Sequence, residues 1–183
     1  MTISDELVVP IPNDYEDSGQ LYSKWVFWYL IPNGGGSSTH WSVYLHPLHS
    51  FDTSEGFVRL QNSVEKPSKL LKGCRYYVFH EGIRPLWEDP NVKGGQIVYV
   101  EVEKSPSKEQ EINEKWSETV FSMIGGELQE FKVIKGIEFN SRSTTWKIGM
   151  WFECNAPSIQ DIRSHFSSIW EGYAVEICDI MQE

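Results

Sequence analysis

The run Trp25-Val26-Phe27-Trp28-Tyr29-Leu30 is apolar at every position. Trp25, Phe27 and Tyr29 alternate with Val26, Trp28 and Leu30, so a strand here is apolar on both faces. Six residues is strand length and far short of the ~20 that a membrane span needs. Further strands are expected at His40 to Leu45, Arg75 to His80, Gln96 to Val102, Phe131 to Asn140, Thr145 to Glu153 and Ala174 to Cys178. The clearest helix is Glu109 to Ile124, where Ile112, Trp116, Val120/Phe121 and Ile124 form one stripe ended by Gly125-Gly126. A shorter helix capped by Asp52 or Thr53 carries Phe57, Leu60 and Val64, and another runs from Pro157 to Trp170. Hairpin-length connections between several strands favour a single antiparallel α+β domain, which suits a chain of 183 residues.

The net charge is −10, yet it is unevenly placed: all 16 bases lie between Lys24 and Arg163. Residues 1–20 hold Asp5, Glu6, Asp14, Glu16 and Asp17 with no base, and read as a disordered acidic leader before a domain over residues 21–183. That leader is not a secretory or mitochondrial targeting segment. Glu171, Glu176, Asp179 and Glu183 make the other end acidic, leaving a middle close to neutral. Such a balance excludes a broad basic face for duplex nucleic acid. Cys74, Cys154 and Cys178 are odd in number and have no CxxC spacing, which suits reduced intracellular thiols and neither a disulfide frame nor a zinc site. His46 and His49 are spaced loosely like metal ligands, but Pro47 and the want of a third ligand make a surface turn the better reading.

Two tryptophans fall outside element interiors. Trp41 follows the loop Asn33 to Thr39, and Trp87 sits in the Pro- and Gly-punctuated segment Glu81 to Pro90. Each either folds back onto the core or offers a stacking surface. Glu88 and Asp89 follow Trp87, and a carboxylate beside an aromatic platform suits guanine, whose N1–H and 2-amino group are adjacent donors. A positively charged base would add a cation–π gain of about 0.5–2 kcal/mol per ring. The two acids as a hydrolase dyad is the weaker idea, since adjacent residues rarely aim at one bond. Arg142 and Lys147 flank a turn in a locally basic stretch and are able to grip phosphates, although taken alone a solvated hairpin tip is the favoured explanation. No nucleophile elbow, P-loop or dinucleotide fingerprint is present.

In order along the chain, several segments resemble the eukaryotic translation initiation factor 4E family of messenger-RNA cap-binding proteins. They are Trp25 to Trp28; Trp41 ahead of Phe51-Asp52-Thr53; Gly73-Cys74-Arg75-Tyr76; Gly82 to Asp89; Lys93-Gly94-Gly95; Trp116 to Thr119 ending in Ile124-Gly125; and Asn140 to Arg142 through Lys147 to Trp151. The resemblance implies a curved antiparallel sheet backed by about three helices, with a cap slot on the concave side and no catalytic residue, metal or cofactor. It implies that Trp41 and Trp87 sandwich 7-methylguanine, Glu88 accepts from N1–H and the 2-amino group, and the Trp87 N–H meets O6. Trp151 would touch the N7-methyl, and Arg142 and Lys147 the phosphates. The expected setting is cytoplasmic, with a nuclear pool as a second expectation.

The implied partners are capped mRNA and a helical peptide of the scaffold factor 4G or of 4E-binding repressors. Here the sequence departs from the family pattern. The family's His-Pro, Val, Trp and Leu contacts are replaced by Gly19-Gln20, Ser54, Val58 and Ser117, leaving Leu21, Glu118, Phe121 and Ile124 beside Val58 for a partner. Gln96 stands where the family usually has Arg, and the chain ends soon after Cys178, where members continue through a loop and a final strand; a shortened form and a divergent member both fit. Three functional readings follow: a cap-binding factor in translation initiation, a cap-binding repressor or storage factor with weak scaffold binding, and a carbohydrate-binding module or glycoside hydrolase.

Overall fold

The computed structural model describes residues 19–32, 41–125, 132–156 and 159–180; the expected leader over residues 1–18 and the loop Asn33 to Thr39 lie outside them. Seven strands form one curved sheet: β1 (Gln20–Leu30), β2 (Leu45–Thr53), β3 (Arg75–His80), β4 (Gln96–Glu103), β5 (Ile134–Ser141), β6 (Thr145–Phe152) and β7 (Val175–Asp179). Their order across the sheet is β2-β1-β3-β5-β6-β4-β7, and each neighbouring pair is antiparallel. Three helices, α1 (Ser54–Ser63), α2 (Glu109–Ile124) and α3 (Ile159–Ile169), cover one face.

The strand period of two divides the apolar residues between two cores. On the helix side, Trp25, Phe27, Val78, Ile137 and Ile148 meet Phe57 of α1, Ile112 and Trp116 of α2, and Phe166 of α3. On the opposite, concave face, Leu30, Leu45, Tyr77, Phe79, Ile97 and Trp151 form a second cluster. The apolar run of β1 serves both, which is why it lacks a polar side. Trp28 is half-buried against the concave cluster.

The helices follow their sequence signals. Thr53 caps α1, its hydroxyl accepting from the Gly56 N–H at 3.0 Å, and α2 ends at Gly125, whose N–H reaches the Phe121 carbonyl. The second strand departs from expectation. Residues 41–44 form a 3-10 turn, and β2 begins at Leu45 and contains His46, Pro47 and His49. Since β2 is an edge strand with an irregular register opposite Phe27/Trp28, a proline and exposed histidines are tolerated there. β1 begins at Gln20, paired with Thr53, one residue ahead of the expected domain boundary.

Candidate functional site

Alternation along β6 sets the floor of the concave face. Trp146, Ile148, Met150 and Phe152 point to the helices, which leaves Lys147, Gly149 and Trp151 for the other side. The Trp151 ring meets Phe79 edge-on at 5.5 Å and Tyr77 at 6.4 Å, so it is held from two directions. Between Trp151 and Lys147 stands Gly149, where a Cβ would come within 2.6 Å of an Ile97 methyl carbon. A larger residue there would displace β4.

Residues from two connections, which leave opposite ends of the β1–β3 pair, pack against this floor. β1 and β3 run antiparallel, with Leu30 opposite Arg75 at one end and Trp25 opposite His80 at the other. The connection after Leu30 returns through the turn at residues 41–44, and its Tyr44 packs on the concave cluster. Trp41 opens that turn; its side chain lies outside the described part of the structure. The connection after His80 crosses β5 and β6 to reach Gln96, and its Ile83, Leu86, Trp87 and Val92 pack on the same cluster.

Asp89 ties this second connection into shape. Its Oδ2 accepts from the Arg84 N–H at 2.9 Å, and its Oδ1 accepts from the Asn91 N–H at 2.9 Å and the Asn91 side-chain amide at 2.8 Å. Burial by itself would raise the carboxyl's pKa, but these hydrogen bonds hold it below the ordinary value. Gly82 and Gly94 supply φ of 86° and 72° at the two ends of the loop. Leu86 and Val92, both buried, anchor it, and Trp87 and Glu88 between them remain half-buried. Among the described residues, the buried Trp87 indole N–H meets no hydrogen-bond partner. Asp89 is therefore committed to shaping the loop.

The basic end differs from its expectation. Lys147 is no solvated hairpin cation: it is 5% exposed, lies 4.5 Å over the Tyr99 ring, and pairs at 3.6 Å with Glu138, itself 2% exposed. Arg142, just after β5, pairs with Glu101 of β4 at 2.5 Å. Gln96 donates its side-chain amide to Asp179 at 3.1 Å. Glu101, Glu138 and Tyr99 were not among the expected site residues. Their alternation with apolar neighbours, as in Val98-Tyr99-Val100-Glu101-Val102, was the signal that placed them on one face.

The expected partner surface lies on the opposite side of the sheet and is only partly present. Val58 and Glu118 are exposed, and Leu21 is half-buried. Phe121 is half-buried with its ring edge-on to Phe57 at 5.2 Å. Ile124 must be withdrawn from that surface: at 3% exposure it belongs to the main core, because the α2 stripe turns it toward the sheet. Ser117 accepts a hydrogen bond from Gln61 at 2.6 Å, which links α1 to α2.

A single antiparallel sheet with helices on one side and a loop-covered aromatic cluster on the other is a two-layer α+β fold. A family model described as eukaryotic initiation factor 4E matches residues 20–175, and the chain belongs to that family. It is 34% identical over 140 residues to eukaryotic translation initiation factor 4E of Eremothecium gossypii, covering 75% of this chain and 64% of the relative. Among solved structures it is similar to Ascaris suum eIF4E-3 with m7G cap, with a TM-score of 0.79, 28% identity and coverage of 90% of this chain and 93% of that one. It is similar also to Caenorhabditis elegans eIF4E-3 in complex with the 4E-binding protein Mextli, with a TM-score of 0.76, 26% identity and coverage of 86% and 92%. The chain spans 64%, 56% and 59% of the length of three of the curated relatives it matches.

Proposed function

We propose that this chain is a non-enzymatic binder of the 7-methylguanosine cap of mRNA, acting in translation initiation, with residues 21–183 as the cap-binding domain. What supports the reading is that residues of two connections pack on one aromatic cluster that includes Trp151: Tyr44, at the end of the turn that Trp41 begins, and Ile83, Leu86, Trp87 and Val92 of the connection that carries Glu88. Trp87 and Trp41 sandwich the base, Glu88 accepts from N1–H and the 2-amino group, the Trp87 N–H donates to O6, and Trp151 lies toward the N7-methyl. Arg142 and Lys147 mark the phosphate end. Methylation at N7 makes the purine cationic, which strengthens both the stacking and the hydrogen bonds to a carboxylate. A cap-bound relative of the same fold supports this choice over a carbohydrate site, and so does the commitment of Asp89 to its loop.

Retention on immobilised 7-methyl-GTP tests the reading. The protein is expected to bind, to elute with free 7-methyl-GTP and to resist elution by GTP. Trp87→Ala is expected to weaken binding by about 10–100-fold, the loss of one stacking ring. Retention that GTP reverses equally well would contradict it.

Whether the cap-bound protein recruits the scaffold or represses is a second question. The weak-scaffold reading draws support from Ile124 being inside the core and Ser117 being engaged by Gln61. A cytoplasmic setting accompanies either role.

A further inference from the structure

The concave face carries its own counter-charges. Glu101 lies opposite Lys147 in the β4–β6 register and holds the Arg142 guanidinium through Nη1. Glu138, on β5, faces Lys147 from the other side of β6. Tyr99, beneath the Lys147 ammonium, donates its hydroxyl to Glu176 of β7 at 2.7 Å, and Gln96 is turned toward Asp179. Arg142 and Lys147 are thus each answered by a carboxylate, with Glu176 and Asp179 alongside, while Arg75 of β3 reaches the Tyr77 hydroxyl. The same groups meet at the Cys178 thiol, which burial pushes up in pKa while Lys147 and Arg142 act against Glu138 and Asp179.

We infer that Glu101 and Glu138 are specificity-determining residues: by occupying Arg142 and Lys147 they make this site take its affinity from the methylated base and little from the added phosphates. The inference rests on the cap reading and sharpens it. A triphosphate arriving at a bare Arg–Lys pair gains from each charge. Arriving at two closed ion pairs, it must displace a carboxylate or lie beside one, and attraction to the base is offset by repulsion from the acid. The Lys147–Glu138 pair is nearly out of solvent, so its compensation is little screened by salt. Arg142 and Glu101 are 38% and 37% exposed, and theirs is the pair that a substitution can open without unfolding the chain.

The test is a tryptophan-fluorescence titration with 7-methylguanosine, its monophosphate and its triphosphate, in the natural protein and in Glu101→Gln. The natural protein is expected to bind the triphosphate less than about 30-fold tighter than the nucleoside. Glu101→Gln should raise that ratio at least about threefold, and adding Arg142→Gln to it should remove the gain, as pairwise coupling requires. A larger ratio in the natural protein, a ratio unmoved by Glu101→Gln, or a gain that survives in the double variant would overturn the inference and leave the cap reading standing. Failure of the nucleoside itself to quench at millimolar concentration would overturn both.

Discussion

At the residue scale, the division of labour between Glu88 and Asp89 governs how the site is read. Both are acids beside Trp87, and the sequence shows only their adjacency. The structure separates them: Asp89 accepts three hydrogen bonds from Arg84 and Asn91, so its charge is spent on loop shape. Asp89→Asn should destabilise the protein at neutral pH by about 1–2 kcal/mol, since an amide cannot replace both acceptor oxygens. Because the folded-state pKa is depressed, this stabilisation is present above the unfolded value near 4 and is lost as pH falls through the folded one. Urea unfolding at several pH values is therefore expected to show the variant's deficit shrinking on acidification; a deficit independent of pH would contradict this. The Asp-x-Asn pattern was in view in the sequence, but a guanine-facing carboxylate and a turn-forming one look alike until the N–H groups they meet are known. Arg142 and Lys147 were legible as the basic end for the same local reason. Their partners Glu101 and Glu138 were not, since the pairs join residues 41 and 9 positions apart across strands.

At the scale of elements, legibility followed periodicity. The α2 stripe gave the helix with its observed bounds, and the Gly-ended C-terminus agreed with it. β3 and β6 were legible as near-continuous apolar and aromatic runs buried on both faces, and β4 because buried Val98, Val100 and Val102 alternate with Tyr99, Glu101 and Glu103. β2 was not: it is an edge strand whose outer positions hold His46, Pro47, Leu48 and His49, so it lacks the apolar alternation that marks a strand. One strand pair carries a pH dependence. Where β1 meets β3, His80 stacks on Trp25 with ring centroids 3.8 Å apart. Burial, helped by the Lys135 charge, lowers the His80 pKa to about 4, while a backbone hydrogen bond at Ile134 partly opposes the fall. The unfolded chain therefore takes up the proton first, and stability should decline as pH falls from about 6.5 toward about 4. His80→Phe keeps the stacked ring and removes the titration. Its melting temperature is expected to change less than the natural protein's between pH 7 and 5; equal slopes would contradict the assignment.

At the scale of the whole molecule, the sheet separates two faces. Helices on one face build the main core and leave Val58 and Glu118 exposed, while Trp87 and Trp151 belong to the cluster on the other. With a net charge of −10, the proposed function draws its selectivity from the purine and its methyl charge instead of the RNA backbone. Cap binding of the kind proposed depends on one positive charge on one purine. Side-by-side titration of intrinsic tryptophan fluorescence with 7-methyl-GTP and GTP measures it most directly. The account predicts saturable quenching by 7-methyl-GTP and binding of GTP weaker by at least about tenfold, the loss of the cation–π gain on two rings. Equal affinities for the two nucleotides, or no quenching by millimolar 7-methyl-GTP, would contradict it.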